Sequence, residues 1–207
     1  MATARRTWIE PRPTPVGTLA WASLINTTDN LSKKQEWNCA LEIPKSQCEG
    51  LIEFLDVCID KLRADFPGWP ADNKKLKRGF TFASTKGEDG ERIDNPNAYL
   101  FRFKRPATRF VNGKESERPA PQLWDSLGKH ILPEEIDDIG SGTTGKVIFR
   151  PYGYDHVGNQ GISLGLEGFQ ILELKTKTAA LELPPMEGGF VHNGHQDGIN
   201  LNDLCAI

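Results

Sequence analysis

Between Glu36 and Phe66 the spacing of apolar residues changes once, and that change restricts the chain to folds in which a half-buried strand runs into a packed helix. In EWNCALEI, residues 36 to 43, Trp37, Cys39, Leu41 and Ile43 fall on one side while Asn38, Ala40 and Glu42 fall on the other. This is the alternation of a strand with one buried face. From Cys48 onward the apolar residues recur at three and four: Cys48, Leu51, Ile52, Leu55, Cys58, Ile59, Leu62 and Phe66. That stripe predicts an amphipathic helix over about 46–66, opened by a capping box of Ser46 with Glu49 and stopped by Pro67-Gly68.

The other periodic stretches read as short strands. They are Val16 to Leu24, Arg78 to Ala83, Ala98 to Lys104, Lys146 to Arg150, and Ile162 to about Leu174, the last with a side-chain phase that slips at Gly165 or Gly168. The strand from Ala98 is interrupted at Arg105-Pro106 and resumes toward Val111, and Gly87 to Gly90 reads as a loop tip. Short antiparallel strands must close or cover their edges, so this pattern is expected to be mainly β: an OB-type antiparallel barrel with one main helix. Three prolines, Pro11, Pro13 and Pro15, make residues 1–15 an extended arm; 16–177 form the expected domain, and the Gly/Asn/Pro-rich residues 178–207 a flexible, mildly acidic tail.

Hydrophobic content of 38% and charge of 26% fit a soluble globular chain. No apolar run reaches the roughly 18 residues of a membrane span, and Arg5-Arg6 has no apolar stretch behind it to act as a signal peptide. A cytoplasmic location is therefore expected. Cys39, Cys48, Cys58 and Cys205 form no CxxC pair, and the first three fall on core-facing positions, as inert thiols do.

The net charge of −3 is unevenly spread. Glu182, Glu187, Asp197 and Asp203 lie in the tail, which has no Lys or Arg after Lys177; residues 74–109 carry ten cations against Glu88, Asp89, Glu91 and Asp94. A basic body of this kind suits a polyanion.

Signals for catalysis are weaker. Gly140-Ser-Gly-Thr-Thr-Gly145-Lys146 matches GxxxxGK, yet Val147 stands where a phosphate-binding loop needs a hydroxyl for magnesium, and a strand follows where a helix should. His192 and His195 with Asp197 have a metal-compatible spacing without a framework to hold it, and Glu134-Glu135 and Asp137-Asp138 have no apolar setting to raise a pKa. No cofactor and no enzymatic activity are expected.

The strands are more informative. In YLFRFKRPATRF, residues 99 to 110, Tyr99, Phe101 and Phe103 share one face and Leu100, Arg102 and Lys104 the other. In KVIFRPYGY, residues 146 to 154, the face of Lys146, Ile148 and Arg150 continues into Tyr152 and Tyr154. Cations along a strand can follow phosphates, and nearby rings can stack on any base. Arg102, Lys104, Arg105, Arg109, Lys146 and Arg150 are the candidate phosphate contacts. Tyr152 and Tyr154 are the candidate stacking rings, with Trp8 and Trp69 as lesser ones and Phe103 the alternative if the faces are reversed.

The order of these stretches resembles a known family. GTLAWASL, EWNCALEIPK, the strand ending FRFKRP, the segment from Pro121 to Lys129 around Leu123-Trp124-Asp125, and KVIFRPYGYDHVGNQGISLGLEGFQILEL are similar, over about Val16 to Leu174, to the single-stranded DNA-binding proteins of tailed bacteriophages. The resemblance implies an OB-fold, binding of single-stranded DNA with little sequence preference, and a role in phage DNA replication and recombination in the cytoplasm of the bacterial host. It also implies an acidic tail that recruits phage or host replication proteins. The tail here has only four acidic residues and ends Asn202-Asp-Leu-Cys-Ala-Ile207, a departure from that pattern. The rival reading is a phage structural or protein-interaction module on a similar barrel.

Overall fold

Each stretch of alternation becomes a strand, and most strands run longer than their alternation. The computed structural model describes residues 7–176 apart from 31, 32, 87, 88, 90, 112 and 157. The tail expected over 178–207, with His192, His195, Asp197 and Cys205, lies outside the described residues. In chain order the elements are β1 (Arg12–Pro13), β2 (Gly17–Asp29), β3 (Gln35–Pro44), α1 (Glu49–Leu62), β4 (Phe80–Lys86), β5 (Arg92–Pro106), β6 (Thr108–Val111), β7 (Lys114–Glu117), β8 (Gln122–Trp124), β9 (His130–Ile131), β10 (Thr144–His156) and β11 (Asn159–Glu173).

Among the described residues the pairings close on themselves. β10 pairs with β2, β2 with β3 and β3 with β5, all antiparallel; β5 pairs in parallel with β11, and β11 returns antiparallel to β10. This circuit is that of an OB-type barrel, as the strand pattern leads one to expect. It is unevenly stitched. The β2–β10 seam has only Thr18 opposite Thr144 and Gly17 opposite Gly145, and the β5–β11 seam only Phe103 opposite Leu164 and Lys104 opposite Gly165. Outside the circuit, β4 pairs with β5, β8 with β11 and β9 with β8, while β6 and β7 form a separate hairpin.

The inward faces supply Leu41, Ile43, Phe101, Phe103, Phe149, Leu164 and Phe169, all fully buried. Helix α1 closes one end with Leu51, Leu55, Cys58, Ile59 and Leu62, and Phe54 meets Phe149 edge-on at 6.2 Å. Each such apolar side chain contributes about 1.5–3 kcal/mol on burial, so the helix stripe is as much a part of the core as the sheet.

The helix ends differ from the expected ones. A 3-10 turn, Lys45–Gln47, intervenes after β3, so Ser46 lies inside that turn and does not cap α1. The N-cap is Cys48, which makes no side-chain cap and whose thiol instead lies 3.3 Å from the Pro44 carbonyl. At the other end α1 stops at Leu62, and a second 3-10 turn, Arg63–Asp65, carries the chain to Phe66 and Pro67. Cys39, Cys48 and Cys58 are buried and free, and burial raises their thiols, Cys48 and Cys58 to about 11.

The described residues before β2 are docked on the barrel. Ile9 is in the core, and beside β1 the Thr14 amide donates to the Val147 carbonyl at 2.9 Å while the Val147 amide donates to Thr14 Oγ1 at 3.1 Å. The phase slip in β11 falls at Glu167. Leu166 pairs with Phe149 and Gly168 with Ile148, leaving Glu167 as the extra residue of a β-bulge, so burial passes from Leu164 and Leu166 to Phe169 and Ile171.

Candidate functional site

Phe101 and Phe103 point into the barrel, so strand alternation turns Arg102 and Lys104 outward, and both are exposed. Arg102 lies opposite Ala40 and Lys104 opposite Asn38 on β3. On the other side of β5, β11 brings Ser163 to the same outer surface, and β10 sets Tyr152 opposite Ser163 and Tyr154 opposite Gly161. These outward side chains border one groove of about 610 Å³, whose lining includes Trp21, Arg102, Lys104, Tyr152, Tyr154 and His156, with Glu36 as its carboxylate.

Trp21 is a groove ring that sequence reading missed. Leu19 and Trp21 share a parity, and Leu19 is buried, which by simple alternation places Trp21 inside. The register of β2 shifts between them: Leu19 faces Leu41, but Trp21 faces Ala40. The bulge turns Trp21 out, where it is 41% exposed and the Arg102 guanidinium lies 5.9 Å from its ring centroid. Nothing in the local pattern of GTLAWASL announces a bulge.

Two glycines and an aromatic pair set the tyrosines. The Tyr152 ring, 40% exposed, lies across Gly165, where a Cβ would stand 3.4 Å from the ring and 3.0 Å from the Arg150 carbonyl. At Gly153 a Cβ would come within 2.2 Å of the Phe66 ring. Phe66 stacks on Trp69 at 4.6 Å, and Trp69 Nε1 donates to the Tyr154 carbonyl at 3.3 Å. The end of β10 is thus braced from behind while its tyrosines face the groove. Partial burial, and then the neighbouring Tyr152, raise the Tyr154 hydroxyl above the usual tyrosine value.

The structure brings Arg102, Lys104, Tyr152 and Tyr154 together and separates the remaining candidates. Arg105 has the parity of Phe101 and Phe103 and is therefore buried. Its Nη1 pairs with Glu167 Oε2 at 2.6 Å and donates to the Leu166 carbonyl at 3.2 Å, and its Nε donates to the Pro119 carbonyl at 2.9 Å. An arginine held this way stabilises the barrel wall and does not face the groove. Arg150 pairs with Glu167 Oε1 at 2.8 Å and lies 3.8 Å from the Trp8 ring centroid. Arg109 is exposed on the β6–β7 hairpin, and Lys146 stands at the far end of β10, opposite Gln170. Phe103 is 1% exposed and packs against Phe149; Trp69 is buried on Phe66.

The GSGTTGK turn is bonded into the sheet. The Gly140 amide donates to the Lys175 carbonyl, the Gly142 amide to the Leu19 carbonyl, and Thr143 Oγ1 to the Lys175 carbonyl, after which β10 begins. Amides committed in this way cannot cradle a nucleotide phosphate.

What remains is a groove with exposed cations on one wall and exposed rings on both. Arg102 and Lys104 are two residues apart on one face, roughly 6.6 Å along the strand, and neither is in an ion pair among the described residues. Such a surface can hold a flexible polyanion that also carries flat apolar groups.

No family model matches the chain, and no curated protein matches it in sequence. Solved structures do share its fold. The single-stranded DNA-binding protein gp2.5 encoded by bacteriophage T7 superposes with a TM-score of 0.60 at 19% identity, over 86% of this chain and 99% of that one. The single-stranded DNA-binding protein from bacteriophage Enc34, in complex with ssDNA, gives 0.56 at 11% identity, over 81% of this chain and 88% of that one. A C-terminal truncation of the Enc34 protein gives 0.54 at 13% identity, over 80% and 87%. At these identities the likeness is one of fold.

Proposed function

We propose that this chain binds single-stranded DNA in the groove, with Arg102 and Lys104 meeting phosphates and Trp21, Tyr152 and Tyr154 stacking on bases. The observation that carries this reading is the gathering of exposed rings and cations without ion-pair partners, from β2, β5 and β10, into one open groove. The shared fold with phage single-stranded DNA-binding proteins, one of them solved with ssDNA, supports it.

The mechanism follows from the side chains. Phosphate contacts carry no sequence information, and every base has a π-face, so a strand held by Arg102, Lys104 and the rings is held with little sequence preference. Arg109 and Lys146, set apart from the groove, add to the field that attracts the strand more than to its contacts. On this reading the protein coats and protects single strands during phage DNA replication and recombination in the cytoplasm of the bacterial host, and the acidic residues beyond 177 serve replication proteins.

The test is a titration of oligothymidylates of several lengths, read by intrinsic fluorescence, with duplex DNA as competitor. Trp21 in the groove should be quenched as strands bind. Absence of binding at low salt would refute the reading and favour a protein-interaction module.

A further inference from the structure

The outward row of β10 does not end at Tyr152. Val147, Phe149 and Pro151 are buried, so Lys146, Ile148 and Arg150 share the outer face with Tyr152. Tyr152 and Lys146 stand roughly 20 Å apart along the strand. Between them Trp8, 62% exposed, lies 3.8 Å from the Arg150 guanidinium. Two carboxylates adjoin this row, and both are engaged: Glu167 by Arg105 and Arg150, Glu10 by Trp8 Nε1.

At the far end of this face three strands set a cation beside a ring. Gln170 of β11 pairs with Lys146 on one side and with Trp124 of β8 on the other, which places those two about 10 Å apart. Leu123 is in the core, so Trp124 is turned outward; it and Lys146 are half-buried. The Trp124 ring lies against Gly168, where a Cβ would stand 2.4 Å from it. Two hollows, of about 340 and 240 Å³, share Trp124 and Ile148 in their walls, and the larger reaches back to Glu167. The Lys146 side chain has no hydrogen bond or ion pair among the described residues. The neighbouring Asp125 carboxylate is turned into its own loop, accepting from the Leu127 and Lys129 amides at 2.9 and 2.8 Å. This arrangement repeats the one in the groove, where the Tyr152 ring lies across Gly165 of β11 and Lys104 stands opposite that glycine on the other side.

We propose that a strand longer than the groove continues past Tyr152 along the outer face of β10 and β11 to this second station, where Trp124 stacks on a base and Lys146 meets a phosphate. The proposal rests on the groove reading and lengthens the surface that the strand occupies. A ring and a charge distinguish no bases, so the station is as tolerant of sequence as the groove. Toward a strand confined to the groove Lys146 acts through its field alone; toward a longer one it is a contact.

The experiment uses full-length wild type, Trp124→Ala, Lys146→Ala and Arg102→Ala, with anisotropy of labelled oligothymidylates of about 6 and about 20 nucleotides, one within and one beyond the roughly 4–16 nucleotides that an OB fold covers. Trp124→Ala should weaken the long strand about 5- to 160-fold more than the short one. Lys146→Ala should flatten the log–log salt slope of the long strand by about 0.7 and that of the short strand by less. Arg102→Ala should weaken both lengths. A folded Trp124→Ala or Lys146→Ala that loses no more on the long strand than on the short one overturns the station. Should Trp124→Ala fail to fold, Lys146→Ala decides alone, since its side chain supports no bond. If Arg102→Ala weakens both lengths while the other two variants do not tell them apart, the station falls and the groove stands; a wild type that binds neither length removes the groove reading as well.

Discussion

Replacing Trp21 with alanine separates ring contacts from phosphate contacts at a position that plays little part in the core. The ring is 41% exposed and lies on the outward side of a bulge, so the variant should fold as the wild type does. A base stacked on an aromatic side chain is worth about 1–3 kcal/mol, and Trp21→Ala should therefore weaken oligothymidylate binding about 5- to 160-fold. No counterion is released by a ring, so the salt slope should not change. Arg102→Ala should flatten that slope by about 0.7. The two side chains are also in contact, with the guanidinium 5.9 Å from the indole centroid, so their effects should not add; the double variant should lose less than the product of the two single losses. Affinities measured at several salt concentrations, with circular dichroism to confirm the fold, make the comparison. A folded Trp21→Ala with wild-type affinity, or one that changes the slope as Arg102→Ala does, would refute the assignment of bases to the ring and phosphates to the cation.

Three further outcomes follow from particular contacts. Gly161 has φ of 151° and a Cβ there would stand 2.1 Å from the Lys77 carbonyl oxygen, so Gly161→Ala should cost at least the roughly 1–3 kcal/mol of a strained backbone, seen as a lower urea midpoint. Magnesium ATP should not shift the thermal midpoint of the wild type, because the GSGTTGK amides are bonded to the Leu19 and Lys175 carbonyls; a saturable rise would contradict this. A chain ending at Lys177 should keep its midpoint and bind single strands at least as tightly, whereas one ending at Leu172 should melt earlier, because it lacks Lys175, whose backbone bonds both Gly140 and Thr143.

Much of the barrel was legible because strand alternation is enforced by the core. Trp37, Cys39, Leu41 and Ile43 are all buried, and Arg102 and Lys104 are turned out by the burial of Phe101 and Phe103. The same rule, applied one step further, puts Arg105 inside, but a cation at a core parity reads as exposed until its partner is known, and Glu167 is sixty-two residues away. Trp21 was illegible because it owes its direction to a bulge, a property of strand pairing that β2 does not carry alone. The capping box failed because Ser46 lies inside the 3-10 turn Lys45–Gln47, which leaves Cys48 as the N-cap of α1. Apart from half-buried Thr108 the β6 and β7 strands are exposed, so burial imposes no pattern by which β7 could be found.

The two short seams of the circuit have a thermodynamic consequence. They divide the barrel into a meander, β2 to β5, and a hairpin, β10 with β11, and the groove runs over the β5–β11 seam, with Trp21, Arg102 and Lys104 on the meander and Tyr152 and Tyr154 on the hairpin. A strand lying across it fastens one unit to the other. At a hundred times its dissociation constant, a ligand that binds only the native state adds about 2.7 kcal/mol to stability, and here that gain is delivered at one of the two short seams. Amide exchange at Phe103 and Leu164 should accordingly slow more on binding than exchange in the middle of β3, which is bonded along its length on both sides.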